Sequence, residues 1–310
     1  MSDVAAQGGR WSEADVPGQQ GRTALITGAN SGIGFQVAAA LARQGAAVIL
    51  ACRDGARGRE AAGRISALVP HAVTQVVDLD LASLASVRAA AAAVKSGPAS
   101  LDLVINNAGL MAAQPGTTAD GFEVHFGTNH LGHFALTGLL LGRLLASPGA
   151  RVVTVSSVAH RFGQANFSQV QSSRLYQGGA AYAQSKLANL LFAFELERRL
   201  AAAGAQAASL AAHPGFARTN LLRHWPAVIR AAARPVEPLI AQNAHMGALP
   251  VLRAATDLAA RGGEYYGPGG PIRLTGYPKL ARPARRARDT GAGRRLWAES
   301  ERLTGVTYPV

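Results

Sequence analysis

From Thr23 onward, short and almost unbroken apolar runs alternate with longer Ala-rich stretches of helical period. The runs Thr23 to Thr27, Ala47 to Ala51, Val73 to Asp78, Leu101 to Asn106, Arg151 to Ser156 and Gln206 to Ala212 predict strands. Strands that are apolar at consecutive positions are covered on both faces, as in a parallel sheet. Between them, Ile33 to Gln44, Arg57 to Leu68, Leu84 to Val94, Asp120 to Leu145 and Ala180 to Ala203 predict helices. A further helix is expected over Ala244 to Ala255, with Tyr265-Tyr266-Gly267 as a closing strand. Strand–helix alternation of this kind predicts an α/β fold, doubly wound, with a parallel seven-stranded sheet and helices on both faces. Residues 1–20 read as a polar N-terminal leader and 21–310 as a single domain.

Composition narrows the reading. At 310 residues, 48% of them hydrophobic, the chain can bury one large core. The net charge of +13 rests on Arg, densest at Arg282, Arg285, Arg286, Arg288, Arg294 and Arg295. No aromatic residues interleave that cluster, so it reads as a solvated, partly helical face and not as a nucleic-acid surface. Cys52 is the single cysteine, which excludes an intramolecular disulfide and fits a reducing, cytoplasmic location. The most apolar stretch, Leu131 to Leu145, contains His133 and Arg143 and reads as a buried helix, so no integral membrane segment is expected. His130 and His133 lack a third ligand at metal spacing, and no metal is expected.

Two local patterns carry chemistry. Thr27-Gly28-Ala29-Asn30-Ser31-Gly32-Ile33-Gly34 follows the first strand and opens straight into a helix. Its glycines permit a sharp turn and a close approach to a pyrophosphate, while the helix N-terminus offers free N–H groups. Gly28, Asn30, Ser31, Gly32, Ile33 and Gly34 are therefore expected to bind a dinucleotide. The second pattern is Tyr182 and Lys186, four apart on a helix and so on one face. An ammonium beside a phenol favours the phenolate, which predicts a Tyr182 pKa lowered from about 10 toward neutrality. Such a hydroxyl would donate and accept protons at physiological pH.

The glycine spacing, three residues and then one, together with Tyr182-xxx-Lys186, resembles the short-chain dehydrogenase/reductase family in its main branch. The resemblance runs from about Gly21 to near the end, and implies a Rossmann-type fold that binds a nicotinamide dinucleotide. Asn106-Asn107-Ala108-Gly109 is similar to the family motif after the fourth strand, placing Asn107, Ala108 and Gly109 beside the cofactor. Asp78 and Leu79 correspond to the adenine contact. Pro214, Gly215 and Thr219, in His213-Pro214-Gly215-Phe216-Ala217-Arg218-Thr219, correspond to the turn flanking the nicotinamide. The resemblance implies a catalytic set of Asn129, Ser157, Tyr182 and Lys186. Tyr182 would exchange the proton, Ser157 would hold the substrate oxygen, Lys186 would also grip the nicotinamide ribose, and Asn129 would position a water leading from Lys186 to solvent.

After the second strand Cys52 takes the position of the usual ribose-binding acid and Arg53 follows. A guanidinium suits a 2′-phosphate, so NADP(H) is expected over NAD(H), with help from Arg57. Twenty-four residues separate Ser157 from Tyr182, more than is usual in the family. This insertion resembles the retinol dehydrogenase and WW-domain oxidoreductase group, which implies a hydrophobic aldehyde, ketone or alcohol. Residues 216–260, with Leu221, Leu222, Trp225, Pro226, Val228 and Ile229, would form an apolar substrate lid or else pack the core. Relatives commonly form homodimers or homotetramers. The competing reading is a dinucleotide-sensing binding protein that keeps the fold without turnover; intact Tyr182 and Lys186 speak against it.

Overall fold

A computed structural model describes residues 10–97, 100–112, 114–166, 178–216, 242–270 and 273–310. Six parallel strands follow the predicted runs closely: β1 Thr23–Thr27, β2 Ala47–Cys52, β3 Thr74–Asp78, β4 Leu103–Asn106, β5 Arg151–Val155 and β6 Ala208–Ala212. The helices between and after them are α1 Gly32–Arg43, α2 Gly55–Leu68, α3 Leu84–Lys95, α4 Gly132–Leu145, α5 Gly178–Ala202 and α6 Ala244–Thr256. Tyr265–Pro268 forms β7, parallel to β6, as the closing strand.

The sheet order is β3-β2-β1-β4-β5-β6-β7-β8, with β8 formed by Pro278–Leu280. Alternate residues of each strand face opposite layers. Ala24 and Ile26 of β1 join one cluster with α1, α2 and α6, while Leu25 joins the other with α3, α4 and α5. Apolar side chains fill both layers, which is why the inner strands β1, β2 and β4 carry no polar alternation, whereas edge strand β3 exposes Gln75 and Asp78. The strand order reverses between β1 and β4, opening a crevice beyond their carboxyl ends where ligands of such sheets bind.

The eighth strand departs from the predicted seven. β8, Pro278–Leu280, pairs antiparallel with β7 at the sheet edge. Lys279 and Leu280 are exposed and Pro278 opens the strand, a position where a missing N–H is tolerated. No apolar run marks it. The helix expected from Asp120 also differs. Gly121 has φ +83 and Glu123 bridges back to Thr117, so the helix begins only after Glu123. It then passes through a π-helical segment, Phe126–Leu131, before α4.

Residues 10–20 of the polar leader lie against the domain. Val16 is buried, and Glu13 pairs with Arg43 of α1 at 2.6 Å and His245 of α6 at 2.8 Å. At the other end α7, Thr290–Thr304, buries Leu296 and Trp297 against the α5 layer. The six clustered arginines, Arg282 to Arg295, are all exposed. Among the described residues no helix is long and apolar enough to cross a membrane. Most of the expected lid, residues 217–241 with Thr219, lies outside the described residues.

Candidate active site

The glycine loop connects β1 to α1 in the conformation its composition predicts. Gly28 and Gly32 have φ +67 and +57, values that disfavour any side chain. A Cβ on Gly34 would lie 2.5 Å from the Gly28 carbonyl oxygen and 2.6 Å from Asn107 Nδ2. Only glycine lets α1 start so close to the loop. Across the crevice, Thr27 Oγ1 accepts from the amides of Asn107 (3.0 Å) and Ala108 (2.9 Å), and Asn107 Nδ2 donates to the Thr27 carbonyl at 2.8 Å. The ends of β1 and β4 are thereby tied together.

Beside this junction lies a cavity of about 440 Å³. One wall is Gly28, Asn30, Ser31, Gly32, Ile33 and Gly34; another is Asn107, Ala108 and Gly109; Pro214 and Gly215 close a third side. Ser157, Tyr182 and Lys186 meet on the remaining wall. Residues far apart in the chain therefore converge on one cavity. The wall also includes Met111, Val155, Val158 and Phe216, which no motif marks because apolar lining needs only shape.

The fit to a dinucleotide rests on the glycine cradle, with backbone at a helix N-terminus and no carboxylate on the described cavity wall. Arg53, Asp78 and Leu79 sit outside the cavity, at the ends of β2 and β3. Arg53 is exposed and Cys52 before it is buried. Asp54 caps α2, accepting from Arg57 N at 3.1 Å, with the Arg57 guanidinium at 3.5 Å. Asp78 lies against Gly55, where a Cβ would come within 2.3 Å of its Oδ1. Leu79 is buried and donates its amide to the Cys52 carbonyl at 2.9 Å.

Tyr182 and Lys186 are both buried on one face of α5. Lys186 Nζ donates to the Val155 carbonyl at 3.2 Å and lies 5.7 Å from the centre of the Tyr182 ring. Ser156 Oγ donates to the Lys186 carbonyl at 2.7 Å, locking α5 to the end of β5. Burial lowers the Lys186 pKa to about 8. Burial also pushes the Tyr182 phenol up to about 12, opposed by a hydrogen bond with Ser157. The expected fall toward neutrality is thus reversed. The phenol has lost its hydration, while the ammonium directs a hydrogen at a backbone carbonyl, so desolvation outweighs charge.

Asn129 lies outside the cavity wall, in the π-helical segment. Its Oδ1 accepts from Leu110 N at 2.8 Å; its Nδ2 donates to the Leu110 carbonyl at 3.1 Å and to Ser185 Oγ at 3.0 Å. Gly109 makes room for this group, since a Cβ there would lie 3.3 Å from Asn129 Oδ1 and 3.2 Å from Lys186 Nζ. His133 Nδ1 donates to the Asn129 carbonyl at 3.0 Å, which leaves Nε2 to accept from Thr27 Oγ1 at 2.9 Å. His130 instead contacts Ser300 at 2.9 Å. Both imidazoles have structural partners.

A buried Glu123–His125 pair went unmarked in the sequence. His125 Nε2 accepts from Ala112 N at 2.9 Å, so Nδ1 carries the proton toward Glu123 Oε1 at 2.7 Å. Burial opposes the Glu123 carboxylate, but hydrogen bonds from His125 and Phe126 outweigh it and hold its pKa down. The His125 ring meets Tyr182 edge-on at 6.2 Å.

Residues 22–228 match the family model for short chain dehydrogenase. The chain is 41% identical to human retinol dehydrogenase 13 over 100% of its length and 91% of that protein. It is 43% identical to mouse polyprenol dehydrogenase, covering 94% of this chain and 86% of the relative. A crystal structure of an uncharacterized protein from Mycobacterium paratuberculosis superposes with a TM-score of 0.81 at 44% identity, covering 97% and 100% of the two chains. The Pseudomonas aeruginosa RhlG/NADP active-site complex gives 0.64 at 27% identity, covering 80% and 94%. Glycine loop, sheet order and these likenesses agree: the chain is an oxidoreductase of the short-chain dehydrogenase/reductase family, in its retinol dehydrogenase group.

Proposed function

We propose that this protein interconverts a hydrophobic alcohol and its aldehyde or ketone, with NADP(H) preferred over NAD(H). The observation that carries the proposal is the meeting of Ser157, Tyr182 and Lys186 on a cavity whose opposite wall is a phosphate-type glycine loop. A nicotinamide dinucleotide, when bound, supplies or accepts the hydride. Gly28, Asn30, Ser31, Gly32, Ile33 and Gly34 would hold it with Asn107, Ala108, Gly109, Pro214, Gly215 and Thr219, and Asp78 and Leu79 would flank its adenine.

In the reductive direction the Tyr182 hydroxyl, protonated at neutral pH, gives its proton to the substrate oxygen. Ser157 donates a hydrogen bond to the same oxygen and offsets its developing charge. Lys186 is charged at neutral pH and restores the proton balance of Tyr182. Asn129 acts by holding Leu110 and Ser185, and so the surroundings of Lys186. The apolar wall of Met111, Val158 and Phe216 suits an uncharged carbon chain. Relatives named for retinol and polyprenol, both hydrophobic alcohols, support that substrate class.

Tyr182→Phe tests the assignment. Turnover of NADPH with a panel of aliphatic, terpenoid, steroid and aromatic carbonyl compounds is expected to fall by a factor of about 10² to 10⁴, with dinucleotide affinity nearly unchanged. Turnover retained in the variant would remove Tyr182 from its role; binding without consumption in the wild type would favour a dinucleotide sensor. For cofactor choice, Arg53→Glu is expected to weaken NADPH binding about tenfold or more and leave NADH within a factor of about two. An equal effect on both would place the 2′-phosphate elsewhere.

A further inference from the structure

A second cavity, of about 480 Å³, shares Val158 with the first. It lies where the segments following β5 and β6 meet β7 and the loop before β8. Three arginines, Arg161, Arg273 and Arg282, stand on its wall with His160, His213 and Tyr265, and no carboxylate lines it among the described residues. Tyr265 is 2% exposed, yet its hydroxyl has no hydrogen-bond partner among the described residues. A buried hydroxyl in that condition is destabilising, and such groups are normally satisfied.

The two histidines divide their roles. His160 Nδ1 donates to the Ser157 carbonyl at 2.6 Å and its Nε2 accepts from Ala284 N at 3.1 Å, so both ring nitrogens are engaged. His213 Nδ1 accepts from Gly215 N at 3.2 Å, which leaves a hydrogen on Nε2 with no protein acceptor among the described residues. Burial, with His160, Arg161 and Arg273 nearby, lowers the His213 pKa to about 3. The imidazole is therefore a neutral donor, and the positive charge of the cavity comes from its guanidinium groups. Arg161 is held in place by donating to the Arg282 carbonyl at 2.8 Å.

Unsatisfied donors, clustered cations and no competing acid describe a receptor for a negatively charged acceptor. We infer that this cavity binds a small molecule bearing an oxyanion, phosphate or carboxylate, with Tyr265 and His213 donating to it and Arg161, Arg273 and Arg282 balancing its charge. His160 ties this wall to Ser157 through the Ser157 carbonyl, and Val158, the next residue, lines both cavities. The inference goes beyond the proposed reaction and stands or falls separately from it.

Isothermal titration with inorganic phosphate, with and without saturating NADP⁺, tests the site at constant ionic strength. Binding is expected in both conditions. It should weaken about tenfold or more in Tyr265→Phe, and further in Arg161→Ala combined with Arg273→Ala. Tyr265→Phe removes an unsatisfied hydroxyl and should melt at the wild-type temperature or above, which separates a lost ligand from a lost fold. Heats identical in wild type and variants would overturn the inference. So would phosphate binding abolished by NADP⁺, since the anion would then occupy the glycine cradle. Comparing benzaldehyde with 4-carboxybenzaldehyde separates the sources. A KM advantage for the carboxylate that Arg161→Ala removes makes the anion a substrate head group; phosphate binding without that advantage makes it a separate ligand. Either result supports the site.

Discussion

Lys186 occupies a place that its own charge resists. It is 4% exposed, and burial lowers its pKa from 10.5 to about 8. Between those values the unfolded chain binds a proton that the folded chain has released, so stability rises with pH, by about 1.4 kcal/mol per unit. Tyr182 acts with the opposite sign. Its folded pKa of about 12 exceeds the unfolded 10, so its contribution is intact below pH 10 and lost as pH rises through 12. Urea midpoints are therefore expected to climb from pH 8 to 10 and to flatten over that interval in Lys186→Met. Parallel profiles would assign the climb to another group. The positions of both side chains were legible in the sequence because helix geometry is local, and a spacing of four puts them on one wall. Their ionisation was not, because it depends on Val155, Ser157 and the packing around α5, which the spacing does not encode.

At the scale of elements, the site depends on how strand ends are joined. Thr27, the last residue of β1, accepts from two amides after β4 through one hydroxyl oxygen, and that hydroxyl also engages His133 on α4. Thr27→Val preserves shape but removes the acceptor. Two part-buried amides and an imidazole then lose their partner, at a cost of about 1–3 kcal/mol. Urea denaturation should show that loss, and dinucleotide titration a weaker complex, because Asn107, Ala108 and Gly109 form the adjoining wall. A variant as stable as the wild type would mean that the junction is held by packing. The apolar runs marked β1, β4 and β5 well, since a doubly covered strand has to be apolar throughout. They did not mark β8, a three-residue edge strand with Lys279 and Leu280 exposed, paired antiparallel with β7. Nor did they mark the π-helical turn, where the His133 ring takes up the Asn129 carbonyl four residues away.

For the molecule as a whole, the buried histidines set the acid limit. His130 and His133 have pKa values lowered by burial to about 3 and 4, and His213 to about 3. All three are neutral in the fold, while the unfolded chain protonates them below about 6.5. The stability they contribute is present above 6.5 and is lost as pH falls toward their folded values, with a slope of about 4 kcal/mol per unit when all three act. A domain stable by about 5–15 kcal/mol cannot sustain that slope for long. With a formal charge of +13 already at pH 7, added protons also raise self-repulsion. Cooperative unfolding is thus expected between about pH 4 and 5, read by circular dichroism. His130 offers the cleanest check. Its ring packs among Phe126, Phe134 and Phe192, and its Nδ1 is buried with no partner among the described residues. His130→Leu keeps an apolar filling and removes one titrating group, so stability should decline less steeply between pH 6.5 and 4 by about one proton. A wild-type protein that stays folded at pH 4 would mean that these imidazoles take up protons without opening the core, and that the two apolar layers tolerate charge.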